Sequence, residues 1–261
     1  MRAFAVVCSF LILIQVQAQE PVRLYAAGSL RAALDEVARA FAEAKVEAVY
    51  GASGLLRDRI AKGEPAEVFA SANMEHPQAL EKAGRGGPVR LFARNRLCAL
   101  ALPGLRVDTD NLLDRMLDPS VKLGTSTPKA DPSGDYAWAL FGKAEKLRPG
   151  AYGKLSEKAL TLIGGPDSPQ PPPNRTVYGM LLEEGKADLF LTYCTNARQA
   201  RAENSALRIV EVPAPLAVGA DYGLTVLKGA RPQAERFAQF ILSRPGQNIL
   251  AKHGFATGDP R

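Results

Sequence analysis

The chain has 261 residues, of which 46% are hydrophobic and 23% charged, and a formal net charge of +6. That balance supplies apolar material for one large or two modest cores and excludes a disordered chain. The positive excess is small and interleaved with acids, as in Arg57-Asp58-Arg59, Glu81-Lys82 and Glu145-Lys146, which excludes the concentrated basic stripe of a nucleic-acid binder.

In chain order, Met1-Arg2, the apolar stretch Ala3 to Val16 and the small-residue ending at Ala18 read as a secretory signal, residues 1–18, cleaved after Ala18. The apolar run is shorter than the roughly 20 residues of a bilayer-spanning helix. An exported chain is expected, with Arg2 removed and a net charge of +5. Val22 to Ser29 then reads as a strand entering a turn. In Leu30 to Phe41 the apolar residues Leu30, Ala33, Leu34, Val37, Ala38 and Phe41 recur with helical period and form one stripe. Val46 to Tyr50 predicts a second strand, Gly51-Ala-Ser53-Gly54 a turn, and Leu55 to Ala61 a second helix. Ser29 and Ser53 thus each end a strand and open a helix. Hydroxyls and unpaired N–H groups at helix N-termini, favoured by the helix dipole, make an anion-binding arrangement.

Further strands are expected at Glu67 to Ala70, Arg96 to Leu102, Val121 to Gly124, Asp188 to Tyr193, Leu207 to Val212 and Tyr222 to Leu227. Helices are expected at Glu75 to Lys82, Tyr136 to Lys146, Val177 to Glu184 and Gln233 to Leu242. The alternation predicts an α/β fold around a mostly parallel sheet. Gly164 to Asn174, with Pro166, Pro169 and Pro171-Pro172-Pro173, is expected to be an extended loop decorating the surface.

Catalytic and cofactor motifs are scarce. His76 and His253 have no second ligand at metal-binding spacing and read as surface or capping residues, so no zinc or haem site is expected. Neither a phosphate-binding Gly-x-x-x-x-Gly-Lys-Ser/Thr run nor a Gly-x-Gly-x-x-Gly fingerprint occurs, and no nucleotide cofactor is expected. An exported serine hydrolase using Ser53 would need a base supplied by one of the two histidines or a lysine. Cys98 and Cys194, the two cysteines beyond the signal, either pair in an oxidising compartment or are two small buried residues.

The residues carry a resemblance to the periplasmic molybdate-binding proteins of ABC importers, from about Val22 to Phe255. It lies in Ala26-Ala-Gly-Ser29-Leu30, and in Tyr50-Gly-Ala-Ser53-Gly54-Leu55 followed by Gly63-Glu-Pro65-Ala66-Glu67-Val68-Phe69. It continues in Asp131-Pro-Ser133-Gly-Asp-Tyr136-Ala137 and in Leu191-Thr-Tyr193 with Asn196-Ala197. The resemblance implies two α/β lobes joined by two hinge strands, with residues 21–94 plus 217–261 as lobe one and 95–216 as lobe two. It implies a non-catalytic periplasmic protein, a monomer without cofactor, that holds molybdate or tungstate between the lobes and delivers it to a membrane permease. The implied ligand set is Ser29 and Ser53 through hydroxyl and amide, Ser133 and Val177 through backbone N–H, and the phenol of Tyr193. Molybdenum would be held only as molybdate, through these residues. A fully deprotonated dianion needs donors only, which such a shell supplies. A sulfate-type binder and a sensor domain of the same fold are the alternatives beside the hydrolase.

Overall fold

The computed structural model describes residues 20–172 and 175–257. The expected signal segment 1–18 lies outside those residues, as do Pro173 and Asn174 of the Pro-rich loop. In chain order the elements are β1 (Val22–Ala27), α1 (Arg31–Ala40), β2 (Val46–Gly51), α2 (Ser53–Ala61), β3 (Val68–Ser71), α3 (Glu75–Lys82), β4 (Arg90–Ala101) and α4 (Leu112–Leu117). Then follow β5 (Leu123–Ser126), α5 (Pro132–Leu147), α6 (Ala151–Lys158), β6 (Leu160–Ile163), α7 (Val177–Glu183), β7 (Leu189–Tyr193) and α8 (Cys194–Glu203). The chain closes with β8 (Arg208–Glu211), β9 (Gly219–Val226), α9 (Pro232–Leu242), α10 (Arg244–Lys252) and β10 (Ala256–Thr257).

The sheet runs β2-β1-β3-β9-β4-β7-β5-β6, with β8 and β10 also on β4. Its flanks are parallel, β1 with β2 and β3 on one side and β5 with β6 and β7 on the other. Its centre is antiparallel, because β9 pairs with β3 and β4, and β4 with β7 and β8. The α/β class is as expected, but the sheet is mixed rather than mostly parallel. Strand β4 changes partners along its length: Arg90 to Arg96 pair with β9, whereas Leu97 to Ala101 pair with β7 and Cys98 to Ala101 also with β8. A single strand of twelve residues thereby joins the two halves of the sheet.

Helix α1 buries Ala33, Leu34 and Val37, the stripe its period dictates. Phe41 just beyond it packs against Phe237 and Phe240 of α9, with ring centroids 5.2 and 5.6 Å apart. A fully buried side chain such as Leu34 contributes about 1.5–3 kcal/mol by leaving water. Buried Glu67 ties the end of the α2–β3 turn to the start of α9. It accepts from Arg23 N–H at 3.0 Å and from Arg231 Nε and guanidinium at 2.7 and 2.6 Å. Burial raises its carboxyl, but the Arg231 and Arg23 hydrogen bonds outweigh that and hold it down at about 2. Cys98 on β4 and Cys194 at the start of α8 form a disulfide, which selects the paired alternative and fixes the chain immediately after Tyr193.

His76 is not a surface residue. It is buried in the first turn of α3, its Nδ1 3.2 Å from the Arg57 guanidinium; burial first, then that cation, pulls it down to about 4, so it is neutral at physiological pH. His253 caps the end of α10 and lies 2.8 Å from Glu36. No helix among the described residues is long and apolar enough to cross a membrane.

Candidate functional site

In the parallel flanks, the C-terminal ends of β1, β2 and β3 converge, as do those of β5, β6 and β7, and open α/β sheets bind ligands at such ends. A cleft of about 380 Å³ lies there. Ser29 and Tyr50 line it from the first half; Asp131, Val177 and Tyr193 line it from the second. Ser53 and Ser133 are fully buried behind this wall, next to the lining residues Ala52 and Asp131.

The two serines are not helix caps. Ser29 sits in a 3-10 turn, Gly28–Leu30, ahead of α1, and its hydroxyl lies 3.0 Å from the Tyr222 phenol of β9. Ser53 is the first residue of α2, after Ala52, and its hydroxyl accepts the Ala72 N–H at 3.1 Å. The reason is topological: β1 lies between β2 and β3, so the residue leaving β2 reaches the end of β3. Among the described residues neither the Ser29 nor the Ser53 N–H donates to another group, as expected for the first positions of helical segments.

Ser133 is also displaced from its expected role. Asp131 is the N-cap of α5, with Pro132 at the first helical position, and its Oδ1 accepts the Ser133 N–H at 3.1 Å. The Ser133 hydroxyl is completely buried and has no partner, and the buried Ser126 hydroxyl at the end of β5 lies towards the Asp131 carboxyl and the Tyr178 phenol. Thr176 caps α7 through the Gly179 N–H at 3.2 Å, and Glu203 in turn accepts from the Thr176 N–H at 2.7 Å and hydroxyl at 3.0 Å. That places Val177 N at the dipole end of α7 and on the cleft. Tyr193, 2% exposed, directs its phenol at the Ala72 carbonyl, 3.5 Å away on the opposite half. Its edge packs on Tyr222 with centroids 5.6 Å apart, and burial raises its phenol well above the ordinary value, so it acts only as a neutral donor.

The halves also meet directly. Gly54 N–H donates to the Ala130 carbonyl at 2.9 Å. A Cβ at position 54 would lie 2.5 Å from the Lys129 carbonyl oxygen and 2.7 Å from that of Ala130, so only glycine permits this approach.

Several participants escape a reading of motifs. Tyr222 and Asn95 carry a relay under the cleft: Asn95 Nδ2 donates to Thr195 at 2.9 Å and to the Tyr222 phenol at 3.3 Å. Their link to Ser29 spans 193 residues of chain, and no local signal announces it. Arg31, at the mouth, lies over the Tyr50 ring at 4.5 Å and joins no ion pair within 4.0 Å among the described residues. The Pro-rich loop does not merely decorate the surface: Gly164 to Pro166 and Ser168 to Pro171 form one wall of the cleft. Gly164, at φ +81°, brings that loop onto the Asp131 side chain.

The hydrolase alternative has no support in this arrangement. Ser53 is buried and its oxygen is an acceptor for a backbone amide, while His76 and His253 face Arg57 and Glu36. A nucleophilic serine requires a base within hydrogen-bond reach.

The family model described as bacterial extracellular solute-binding protein matches residues 22–256. An uncharacterized protein of Pasteurella multocida is 37% identical over 239 residues, covering 90% of this chain and 98% of that one. Among solved structures, the sulfate-binding protein SubI of Mycobacterium tuberculosis is similar at a TM-score of 0.74 and 18% identity, over 93% of this chain and 88% of its own. The periplasmic molybdate-binding protein of Azotobacter vinelandii is similar at 0.72 and 19%, over 91% and 100%. At those identities the likeness concerns the fold, while the family match spans nearly all the described residues. The chain belongs to the bacterial extracellular solute-binding protein family, the binding components of ABC importers.

Proposed function

We propose that this protein captures a tetrahedral oxyanion in the cleft and delivers it to an ABC permease. The observation that carries the reading is the convergence of Ser29 from one half with Val177 and Tyr193 from the other on a single cleft at the strand ends. The Ser29 and Ser53 amides, the α7 N-terminus and the Tyr193 phenol are all donors. Fixed dipoles of this kind hold a dianion without a paired lysine or arginine, most strongly once water is excluded. Residues 21–94 with 217–261 and residues 95–216 would act as the two lobes, hinged where β4 changes partners and where the chain returns into β9. Closure would bring Gly54 against Ala130 and Tyr193 against Ala72, the contacts seen here. In this reading the protein is a periplasmic monomer, exported with its first 18 residues removed, without cofactor or catalysis.

Within the class of tetrahedral anions, molybdate or tungstate is the reading favoured by the motif resemblance, and sulfate is its rival. The role of Ser53 narrows to its amide, because its oxygen is engaged within the fold, and that of Ser133 passes from the expected N–H, which Asp131 holds, to its unpartnered hydroxyl. Isothermal titration of the exported chain with molybdate, tungstate, sulfate and phosphate tests the proposal. Saturable one-to-one binding of at least one of them is expected; no heat with any of the four refutes it.

A further inference from the structure

Resting on the oxyanion reading, we propose that Asn95, on the strand that joins the two halves, is a positioning residue for the anion: it sets the sense of a buried hydrogen-bond chain so that Ser29 offers its hydroxyl proton to the cleft. The chain runs from Asn95 Nδ2 to the Tyr222 phenol at 3.3 Å and from that phenol to the Ser29 hydroxyl at 3.0 Å. It joins β4, β9 and the turn before α1. Among the described residues the Ser29 hydroxyl has no other hydrogen-bond partner, and Ser29 lines the cleft. The sense of the Tyr222–Ser29 bond therefore decides what the cleft receives. If Ser29 accepts, its own proton faces the anion; if Ser29 donates to Tyr222, it presents a lone pair instead.

The amide of Asn95 fixes that sense. Its Oδ1 accepts the Arg96 N–H at 2.9 Å, and turning the amide over would set an NH2 group against that N–H, so the inward arm is the donor. Both hydrogens of Nδ2 are used, one on the Tyr222 phenol and one on Thr195 Oγ1 at 2.9 Å in the first turn of α8. The amide is thus pinned on three sides. Tyr222 is completely buried, which raises its phenol, so it keeps its proton. With Asn95 donating to the Tyr222 oxygen, the sense from Tyr222 to Ser29 lets the phenol both accept and donate. The Tyr193 phenol, 3.5 Å from the Ala72 carbonyl, also lies beside the Tyr222 oxygen and favours negative charge there, as a donor does. The opposite sense would add a further donor to an oxygen already supplied and leave the buried Tyr222 proton without this acceptor. An oxyanion that carries no proton accepts and never donates. A chain that ends on an outward-facing serine proton matches it, and each link polarises the next.

Titration calorimetry of the exported chain with molybdate, tungstate, sulfate and phosphate, run on the wild type, Asn95→Leu, Ser29→Ala and the double variant, tests this. Leucine keeps the branched outline of asparagine but donates nothing, so the Tyr222 oxygen is open to the Ser29 proton. For the anion the wild type binds most tightly, Asn95→Leu is expected to raise Kd by about threefold or more, and so is Ser29→Ala. Added to Ser29→Ala, Asn95→Leu is expected to change Kd by less than about 1.5-fold, because the amide acts through the Ser29 proton. A merely structural Asn95 would weaken binding by the same factor in both backgrounds, and that result overturns the inference while leaving the oxyanion reading intact. So does wild-type affinity in either single variant. Should Asn95→Leu fail to fold, Tyr222→Phe, which breaks the chain one link further on, takes its place in the same cycle with the same expectations. Binding of none of the four anions by the wild type refutes the underlying reading.

Discussion

Replacing Gly54 by alanine should weaken anion binding without unfolding either half of the molecule. The new Cβ would lie 2.5 Å from the Lys129 carbonyl oxygen and 2.7 Å from that of Ala130. Both are backbone atoms that cannot swing aside. Relief to about 3.0 Å, still a very tight contact, requires the α2 N-terminus to withdraw by about 0.5 Å. The Gly54–Ala130 hydrogen bond, 2.9 Å here, then stretches beyond the roughly 2.7–3.2 Å range of an N–H···O bond. Losing one such bond costs about 0.5–1.5 kcal/mol. If the contact forms as the halves close on the ligand, the whole cost falls on binding, roughly a two- to twelvefold rise in Kd. Alanine also favours helix over glycine, so thermal unfolding of the ligand-free chain should change little. Titration calorimetry with whichever anion the wild type binds, beside small-angle scattering with and without it, reads both quantities. A folded Gly54→Ala protein with unchanged Kd and unchanged compaction would refute the idea that this approach is part of closure.

Further outcomes are expected. Converting Cys98 and Cys194 together to serine should lower unfolding stability in urea by about 2–5 kcal/mol, since the bridge spans 96 residues of sequence and long loops give the larger effects; an unchanged midpoint would contradict it. Tyr193→Phe should leave stability within about 1 kcal/mol, because its phenol makes a long, 3.5 Å contact with Ala72, yet reduce anion affinity measurably; equal affinity would remove Tyr193 from the shell. Glu67 is held near 2, below its ordinary 4.5, so its stabilisation is complete above pH 4.5 and is lost as the pH falls from there towards 2. The Glu67→Gln variant should be less stable at pH 7 and lose less between pH 4.5 and 2, read as thermal midpoints across that window. Thr176→Ala, which removes the α7 cap, should cost about 1 kcal/mol in chemical denaturation and weaken binding by loosening Val177.

How much of this was legible in the sequence depends on the range of the interactions involved. The stripe from Leu30 to Phe41 and the turns carrying Ser29 and Ser53 follow from local periodicity, and the structure has helices and turns there. Helices α4, α6, α8 and α10 were not expected: α4 and α6 are short, α8 carries a weak apolar pattern in Cys194–Glu203 with its run of polar and charged residues, and α10 opens on Arg244-Pro245, which reads locally as the end of α9. The antiparallel centre was hidden because a strand's direction is set by its neighbours: β4 and β9 read locally like any other apolar run. Asp131 and Ser133 are both plausible N-caps by residue type, and Pro132 at the first helical position decides for Asp131. Proline content made Gly164 to Asn174 an extended loop, yet its packing over Asp131 depends on a fold-wide approach. The Ser29–Tyr222–Asn95 chain and the unpaired state of Arg31 arise wholly from tertiary placement.

The proposed function requires one tetrahedral anion bound between the two halves of the sheet. The most direct measurement is a crystal structure of the exported chain grown with the anion it binds most tightly in solution. One tetrahedral density feature is expected in the cleft, within hydrogen-bond reach of the Ser29 N–H on one side and of the Val177 N–H and the Tyr193 phenol on the other. An anion bound away from those groups, or a cleft that stays filled only with water at saturating concentration, would contradict it.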